Sequence, residues 1–324
     1  MAALIQASGA AVAIGIALFA CACTQPPAAR TAPVVVRFST GTPGGGFYPL
    51  GEGLARAYEQ SLRPITFQVT PTAGAVTNVE AIQSGEADLG LAFADVAYIA
   101  YVGRLGGRVP QAFDRLRGIA VMQLTPVHLV VGRDSRIREV GDLRGRRIGV
   151  GPPGSGTALT AGLILQAFGI AESAVQVEQL QFNDAADRLV KGTLHAMFDT
   201  AIYPAASVTQ ATREGARLVP IAGPPIERLR HEYPFLRVTV IPRDTYPGGS
   251  QTIRTIGVDS LLVCRRDLDE TLVYDLTRRF FEALPSLSSS QGALRFMDLD
   301  QAPATPIPLH DGAARFYRER ELLR

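Results

Sequence analysis

Apolar positions along the chain switch repeatedly between two periods. Residues 34–38, Val-Val-Val-Arg-Phe, form a β-branched run that reads as a buried strand. Leu50, Leu54, Ala57 and Tyr58 then recur at helical spacing, and that pattern ends near Pro64. The same exchange follows several times. Residues 67–70 read as a strand, and Val76, Val79 and Ile82 as one face of a helix closed by Ser84 and Gly85. Residues 88–93 form a third strand, with Asp95 as N-cap of a helix over 96–102. Two apolar runs, 119–124 and 127–131, are separated by Thr125 and Pro126, where the chain leaves a first lobe. After a turn at 142–147 come strand 148–151, helix 158–168 with Gly169 as its stop, strand 175–180, helix 184–191 and strand 194–198. Asp199 opens a further helix, 217–221 and 236–241 are strands, and 252–264 is a long strand returning to the first lobe. Asp267 to Glu270 resembles a capping box ahead of a helix reaching Leu284, and 311–323 is a last amphipathic helix. Strand–helix alternation predicts an α/β protein with a parallel sheet covered on both faces.

Two glycine-rich turns carry the candidate chemistry. The first, within 39–55, holds Thr42, Gly44, Gly45, Gly46, Phe47 and Tyr48; the second, 152–157, holds Gly154, Ser155, Gly156 and Thr157. Each leads from a strand into a helix. Glycine permits close approach of the backbone, and a helix start offers unpaired N–H groups and partial positive charge. A carboxylate or phosphate fits such a place, and plain helix capping is the competing role. No Gly-Lys-Ser/Thr follows the first turn, and its glycine spacing is not the dinucleotide fingerprint. Strands in open parallel sheets present ligands at their carboxyl ends. The helix starts near Gly44, Asp95, Ser155 and Asp199 then converge on one molecule. The expected contacts also include Gly74, Ala75, Phe93, Thr200 and Tyr203. Tyr48 and Tyr203 either cover the ligand or pack, and Asp95 and Asp199 either touch it or cap.

The chain has 324 residues, 47% hydrophobic and 19% charged, enough for a two-lobe molecule. A formal net charge of +2 with scattered arginines gives no nucleic-acid footprint. Residues 8–22 are small and apolar and are followed by a proline-rich segment, which reads as an export signal over 1–23 and a linker over 24–33. Leu18-Phe19-Ala20-Cys21 resembles a bacterial lipobox that would place a lipid on Cys21. Ala20-Cys21-Ala22 equally fits a simple cleavage site. Both readings export the protein to the cell envelope. Past that segment Cys264 stands alone in an apolar run, which excludes a disulfide framework. His128, His195, His231 and His310 lack metal-ligand spacing. No cofactor motif is present.

In order along the chain, the first glycine turn, Thr77-Asn-Val-Glu, Ser84-Gly-Glu-Ala-Asp-Leu-Gly and Asp95-Val-Ala-Tyr come first. Gly151-Pro-Pro-Gly-Ser-Gly-Thr, Tyr274-Asp-Leu-Thr and the ending from Ile307 to Glu319 complete the set. Together they resemble the solute receptors of the TAXI class of TRAP transporters. The resemblance implies a two-lobe periplasmic-binding-protein type II fold, with the ligand cleft between lobes 34–126 plus 252–324 and 127–251. It implies capture of a small organic acid or amino acid and delivery to an ion-coupled membrane permease, with no catalysis. The chain departs from that family's usual residues at Gly46, Ala75, Phe93 and Ala94, where polar side chains are common, and Asp199 adds a charge. The implied ligand is less polar than glutamate or carries a positive group that Asp199 meets.

Two other classes remain at this point. A hydrolase would use Ser155, but Pro153 stands where Gly-x-Ser-x-Gly needs its first glycine. A sensory module binding the same ligand would work through a separate signalling partner.

Overall fold

The computed structural model describes residues 34–323 apart from 44, 63, 107–110, 291–293, 295 and 296. The export segment with Cys21, the linker and Gly44 lie outside the described residues. Strands β1 (Val34–Ser39), β2 (Ile65–Thr70) and β3 (Leu89–Phe93) run parallel with β1 central. Helices α1 (Phe47–Ser61) and α2 (Ala75–Ser84) make the crossovers, and α3 (Ala94–Tyr101) follows β3. The stripe Leu50, Leu54 and Tyr58 is the buried face of α1, as its spacing predicts. Gly85 ends α2 at φ +87°, a left-handed value that glycine adopts without strain. All five residues of β3 are buried because helices cover both faces.

Two long strands then cross the molecule. β4 (Leu116–Val131) and β10 (Ile253–Arg265) pair antiparallel from Leu116 to Pro126, and β10 also joins β3. The expected break at Thr125 and Pro126 is absent. β4 continues through Pro126 because the strand changes partners there: Val127 onward pairs with β7 (Ala196–Thr200). A proline lacks the amide that a ladder requires, and a handover between partners is where that loss is least felt. The Pro126 carbonyl still accepts from the Ala201 amide at 3.2 Å.

Beyond the crossing lie β5 (Arg147–Gly149), α4 (Gly156–Ala167), β6 (Gln176–Glu178) and α5 (Phe182–Val190), with β5 parallel to both β6 and β7. Next come α6 (Ala206–Arg213), β8 (Arg217–Val219), α7 (Pro224–Glu232) and β9 (Leu236–Ile241). The main strand order is β2-β1-β3-β10-β4-β7-β5-β6, with β8 on β4 and β9 on β10. Helix α7 is not evident from the apolar pattern, since it buries only Ile226 and Leu229 among charged neighbours. Helix α6 starts at Ala206 rather than at Asp199, because residues 201–205 leave the strand as a loop. Helices α8 (Glu270–Ser290) and α9 (Asp311–Glu319) complete the chain and pack with α1 against β1, β3, β4 and β10. At the α8 start Asp269, not Asp267, accepts the Leu272 amide at 2.8 Å. Asp267 instead pairs with Arg265. His310 caps α9, its Nδ1 accepting from the Gly312 amide.

Two polar anchors fix the first three strands. Asn78 is fully buried; its amide donates to the carbonyls of Thr40 and Leu91, and its oxygen accepts from Thr72. Asp88 accepts from the Arg37 amide and guanidinium and lies 3.1 Å from Arg265. An Asp88→Ala variant leaves both guanidiniums without this partner. Urea titration is expected to show a loss of about 2–3 kcal/mol, the usual cost of removing one side of a half-buried charged pair. A loss under 0.5 kcal/mol would contradict that role.

Candidate functional site

A cavity of about 320 Å³ lies where the carboxyl ends of β1, β2, β3, β5 and β7 meet beside the β4 crossing. That volume is at the lower end of ligand pockets. The start of α1 supplies Thr42, Gly45, Gly46, Phe47 and Leu50, and the loop ahead of α2 supplies Gly74 and Ala75. Phe93 comes from the end of β3, with its ring centroid 4.8 Å from that of Phe47. The start of α4 contributes Ser155, Gly156 and Thr157, and the β7 end contributes Thr200 and Tyr203. Local sequence explains this convergence. Each contributing helix follows a strand through a short glycine or small-residue turn, so the helix start and the strand end face the same side.

The structure thus brings together Thr42, Gly45, Gly46, Phe47, Gly74, Ala75, Phe93, Ser155, Gly156, Thr157, Thr200 and Tyr203. Four expected contacts do not line the cavity. Tyr48 turns away along α1, its hydroxyl donating to Glu52 at 3.0 Å one turn on. Gly154 turns its carbonyl to the start of α2. Asp95 and Asp199 are buried behind the walls. Asp95 is also not the N-cap of α3: Phe93 takes that position, and Asp95 sits within the first turn. Its Oδ1 accepts from the Val96 amide and its Oδ2 from the Thr160 hydroxyl of α4 at 2.6 Å. Asp199 is 3% exposed, and its Oδ2 accepts from Ser207 of α6 at 2.5 Å.

Several lining residues escaped the sequence reading: Gln123 and Thr125 on β4, Phe182 at the start of α5, and Ile202 on the loop after β7. Gln123 and Thr125 carry a usable signal, two polar residues inside an otherwise apolar strand. Phe182 follows a strand, which places it at a carboxyl end by the same rule that singled out the glycine turns. Thr125 is satisfied by Ser260 at 3.0 Å. The Gln123 side-chain oxygen and the Thr200 hydroxyl are buried without a partner among the described residues.

The two sides of the cavity touch directly. The Gly154 carbonyl accepts from the Val76 and Thr77 amides at 3.1 and 3.2 Å, so it occupies the start of α2. Gly154 holds φ +80°, and a Cβ there would collide with the Thr77 hydroxyl. A Cβ on Gly156 would collide with Phe93 and stand 3.1 Å from Ala75. With Asp95–Thr160, these contacts join α2 and α3 to α4, and the apolar residues around them form one continuous core. Ser155 is used as a cap, its hydroxyl accepting from the Ala158 amide at 3.2 Å. Thr157 accepts from the Thr200 amide at 3.2 Å. The N–H groups of Gly156 and Thr157 have no protein partner among the described residues and stand at the cavity wall.

Behind the β7 wall lies a buried titratable cluster. His128 Nδ1 meets the Asp199 carbonyl at 3.2 Å, and His128 Nε2 lies 2.9 Å from the Tyr246 hydroxyl, which accepts from the Ala205 amide. Burial pushes the Asp199 carboxyl up to about 6 despite its bond from Ser207. Burial likewise raises Asp95 to about 6 against its bonds from Thr160 and Val96. The same effect drives His128 down to about 4, which keeps the imidazole neutral.

Comparison with known proteins is consistent with this geometry. Residues 38–320 match the NMT1-like family. MatC from Rhodopseudomonas palustris, solved with bound malate, superposes with a TM-score of 0.57 at 15% identity over 90% of this chain and 100% of its own. A structure described only as a periplasmic transporter gives 0.54 at 15% identity, covering 89% and 93%. The alkanesulfonate-binding protein SsuA from Xanthomonas axonopodis pv. citri, bound to MOPS, gives 0.50 at 16% identity, covering 91% and 96%. At these identities the likeness concerns the fold, which is the periplasmic-binding-protein type II fold expected from the sequence.

Proposed function

The chain belongs to the NMT1-like family, and on that premise we propose that it is an extracytoplasmic solute receptor which captures a small organic acid between two lobes. The observation that carries this reading is the cavity, into which two helix starts on opposite sides, those of α1 and α4, open. Backbone amides at helix starts hold a carboxylate without a basic side chain. The lobes in this reading are 34–126 with 252–324 and 127–251, and the paired strands β4 and β10 cross between them. Strand crossings of this kind allow hinge closure around a ligand.

The partner in this reading is a TRAP-type permease of the TAXI class, as the ordered motifs suggest, and the protein resides in the periplasm. Cys21 as a lipid site belongs to the same proposal. The reading makes this chain a receptor rather than an enzyme. Ser155 supports that choice, since its hydroxyl is engaged as a helix cap. His128 is engaged with Tyr246 and the Asp199 carbonyl.

The experiment is a thermal-shift screen of residues 24–324 against mono- and dicarboxylates, amino acids and sulfonates. An acid at about one hundred times its Kd stabilises by about 2.7 kcal/mol, a readily seen shift, and is recovered unchanged. Chemical conversion of that acid, or no stabilisation by any acid, would contradict the receptor reading.

A further inference from the structure

The cavity wall has a particular charge pattern. Among the described residues, no Asp, Glu, Lys, Arg or His lines it. Its larger apolar side chains include Phe47, Leu50, Phe93, Phe182 and Ile202, together with the ring of Tyr203. A buried charge without an opposite charge or several hydrogen bonds is costly. A carboxylate can rest on the free amides of Gly156 and Thr157, and the start of α1 at Gly46 and Phe47 also lines the cavity. The start of α2, a third candidate, is already taken by the Gly154 carbonyl. An ammonium group would meet no carboxylate, since Asp95 and Asp199 lie behind the wall and are bonded elsewhere.

Two groups remain unsatisfied in the wall. Gln123 and Thr200 are each only 7% exposed, both line the cavity, and neither the Gln123 oxygen nor the Thr200 hydroxyl has a partner among the described residues. Gln123 lies on β4 where it pairs with β10, and Thr200 ends β7, which pairs with β4 past Pro126. The pair therefore spans the crossing point. A ligand hydroxyl satisfies either group, donating to the Gln123 oxygen or accepting from the Thr200 hydroxyl. A buried polar atom left unpaired costs about 1–3 kcal/mol, so the site penalises a ligand lacking that group.

We propose that the cavity selects a hydroxy acid with an apolar, ring-sized body, and that Gln123 and Thr200 read its hydroxyl. This rests on the receptor reading and narrows it, setting amino acids and small polar acids aside. The test is isothermal titration calorimetry with mandelate, 3-phenyllactate and 4-hydroxyphenylacetate, their deoxy counterparts phenylacetate and 3-phenylpropionate, and malate and glutamate. At least one hydroxylated acid is expected to bind tenfold or more tightly than its deoxy counterpart, malate and glutamate. Of Gln123→Met and Thr200→Val, both close in volume to the residues they replace, at least one is expected to bring the hydroxy-to-deoxy ratio toward one. Tightest binding of malate or glutamate would overturn the inference and leave the receptor reading standing. An unchanged ratio in both variants would overturn the role of Gln123 and Thr200. Absence of binding by every acid would overturn both.

Discussion

Replacing Gly156 with leucine is expected to abolish acid binding, with affinity at least 100-fold weaker than wild type. Gly156 is the first residue of α4 and stands at the contact between the two sides of the cavity. Even a Cβ collides with Phe93 and crowds Ala75, and a leucine adds three further carbons. Those neighbours belong to the β3 end and the α2 start, which have little freedom: Ala75 and Phe93 are buried in the shared core. The leucine must therefore wedge α4 away from α2 and α3 or fill the cavity. Either outcome removes the amides of Gly156 and Thr157 from the carboxylate. A 100-fold loss corresponds to about 2.7 kcal/mol. Overpacking of this kind is also expected to lower stability by roughly 1–3 kcal/mol. Gly162, six residues along the same helix, is the control: a Cβ there meets nothing within 4 Å, so Gly162→Ala is expected to bind as wild type.

The second large effect is on pH dependence. Asp199 has a carboxyl raised from 3.8 to about 6 by burial. Between those values the folded state binds more protons than the unfolded state, so stability falls as pH rises. Asp95 contributes in the same direction. His128, lowered from 6.5 to about 4, acts oppositely: the unfolded state binds more protons, and stability rises with pH over that window. Asp199→Asn removes one falling contribution and keeps an oxygen to accept from Ser207. The variant is expected to match wild type near pH 4 and to exceed it at pH 7 by about 3 kcal/mol, the free energy of a two-unit shift. Urea titrations at the two pH values measure this. A variant weaker than wild type at pH 7, and more so than at pH 4, would show that Asp199 is held by favourable bonds to its charged form.

Much of this architecture is legible in the apolar pattern. Leu50, Leu54 and Tyr58 mark α1 because a helix buries one stripe, and the β-branched run at 34–38 marks β1, although only Val36 and Phe38 of that run are fully buried and Val34 and Val35 stay exposed. Pro126 misleads because local chemistry predicts a break, while partner exchange at the crossing removes the need for its amide. Helix α7 is obscure because it lies on the surface with two buried residues. Within the site, the glycine turns are legible from strand-to-helix spacing alone. The acidic residues are not: Asp95 and Asp199 stand beside turns that face the cavity, yet each carboxylate is claimed by a hydroxyl on another helix, Thr160 or Ser207. Such pairings depend on tertiary approach across 65 residues for Asp95, which no local pattern encodes.

The central claim, a single small-acid site between the two lobes, is tested most directly by calorimetric titration of the tightest acid into wild-type protein and Gly156→Leu side by side. The account predicts one saturable site per chain in wild type, no detectable heat of binding in Gly156→Leu, and the acid recovered intact. Equal binding by the two proteins would place the ligand elsewhere and contradict the account.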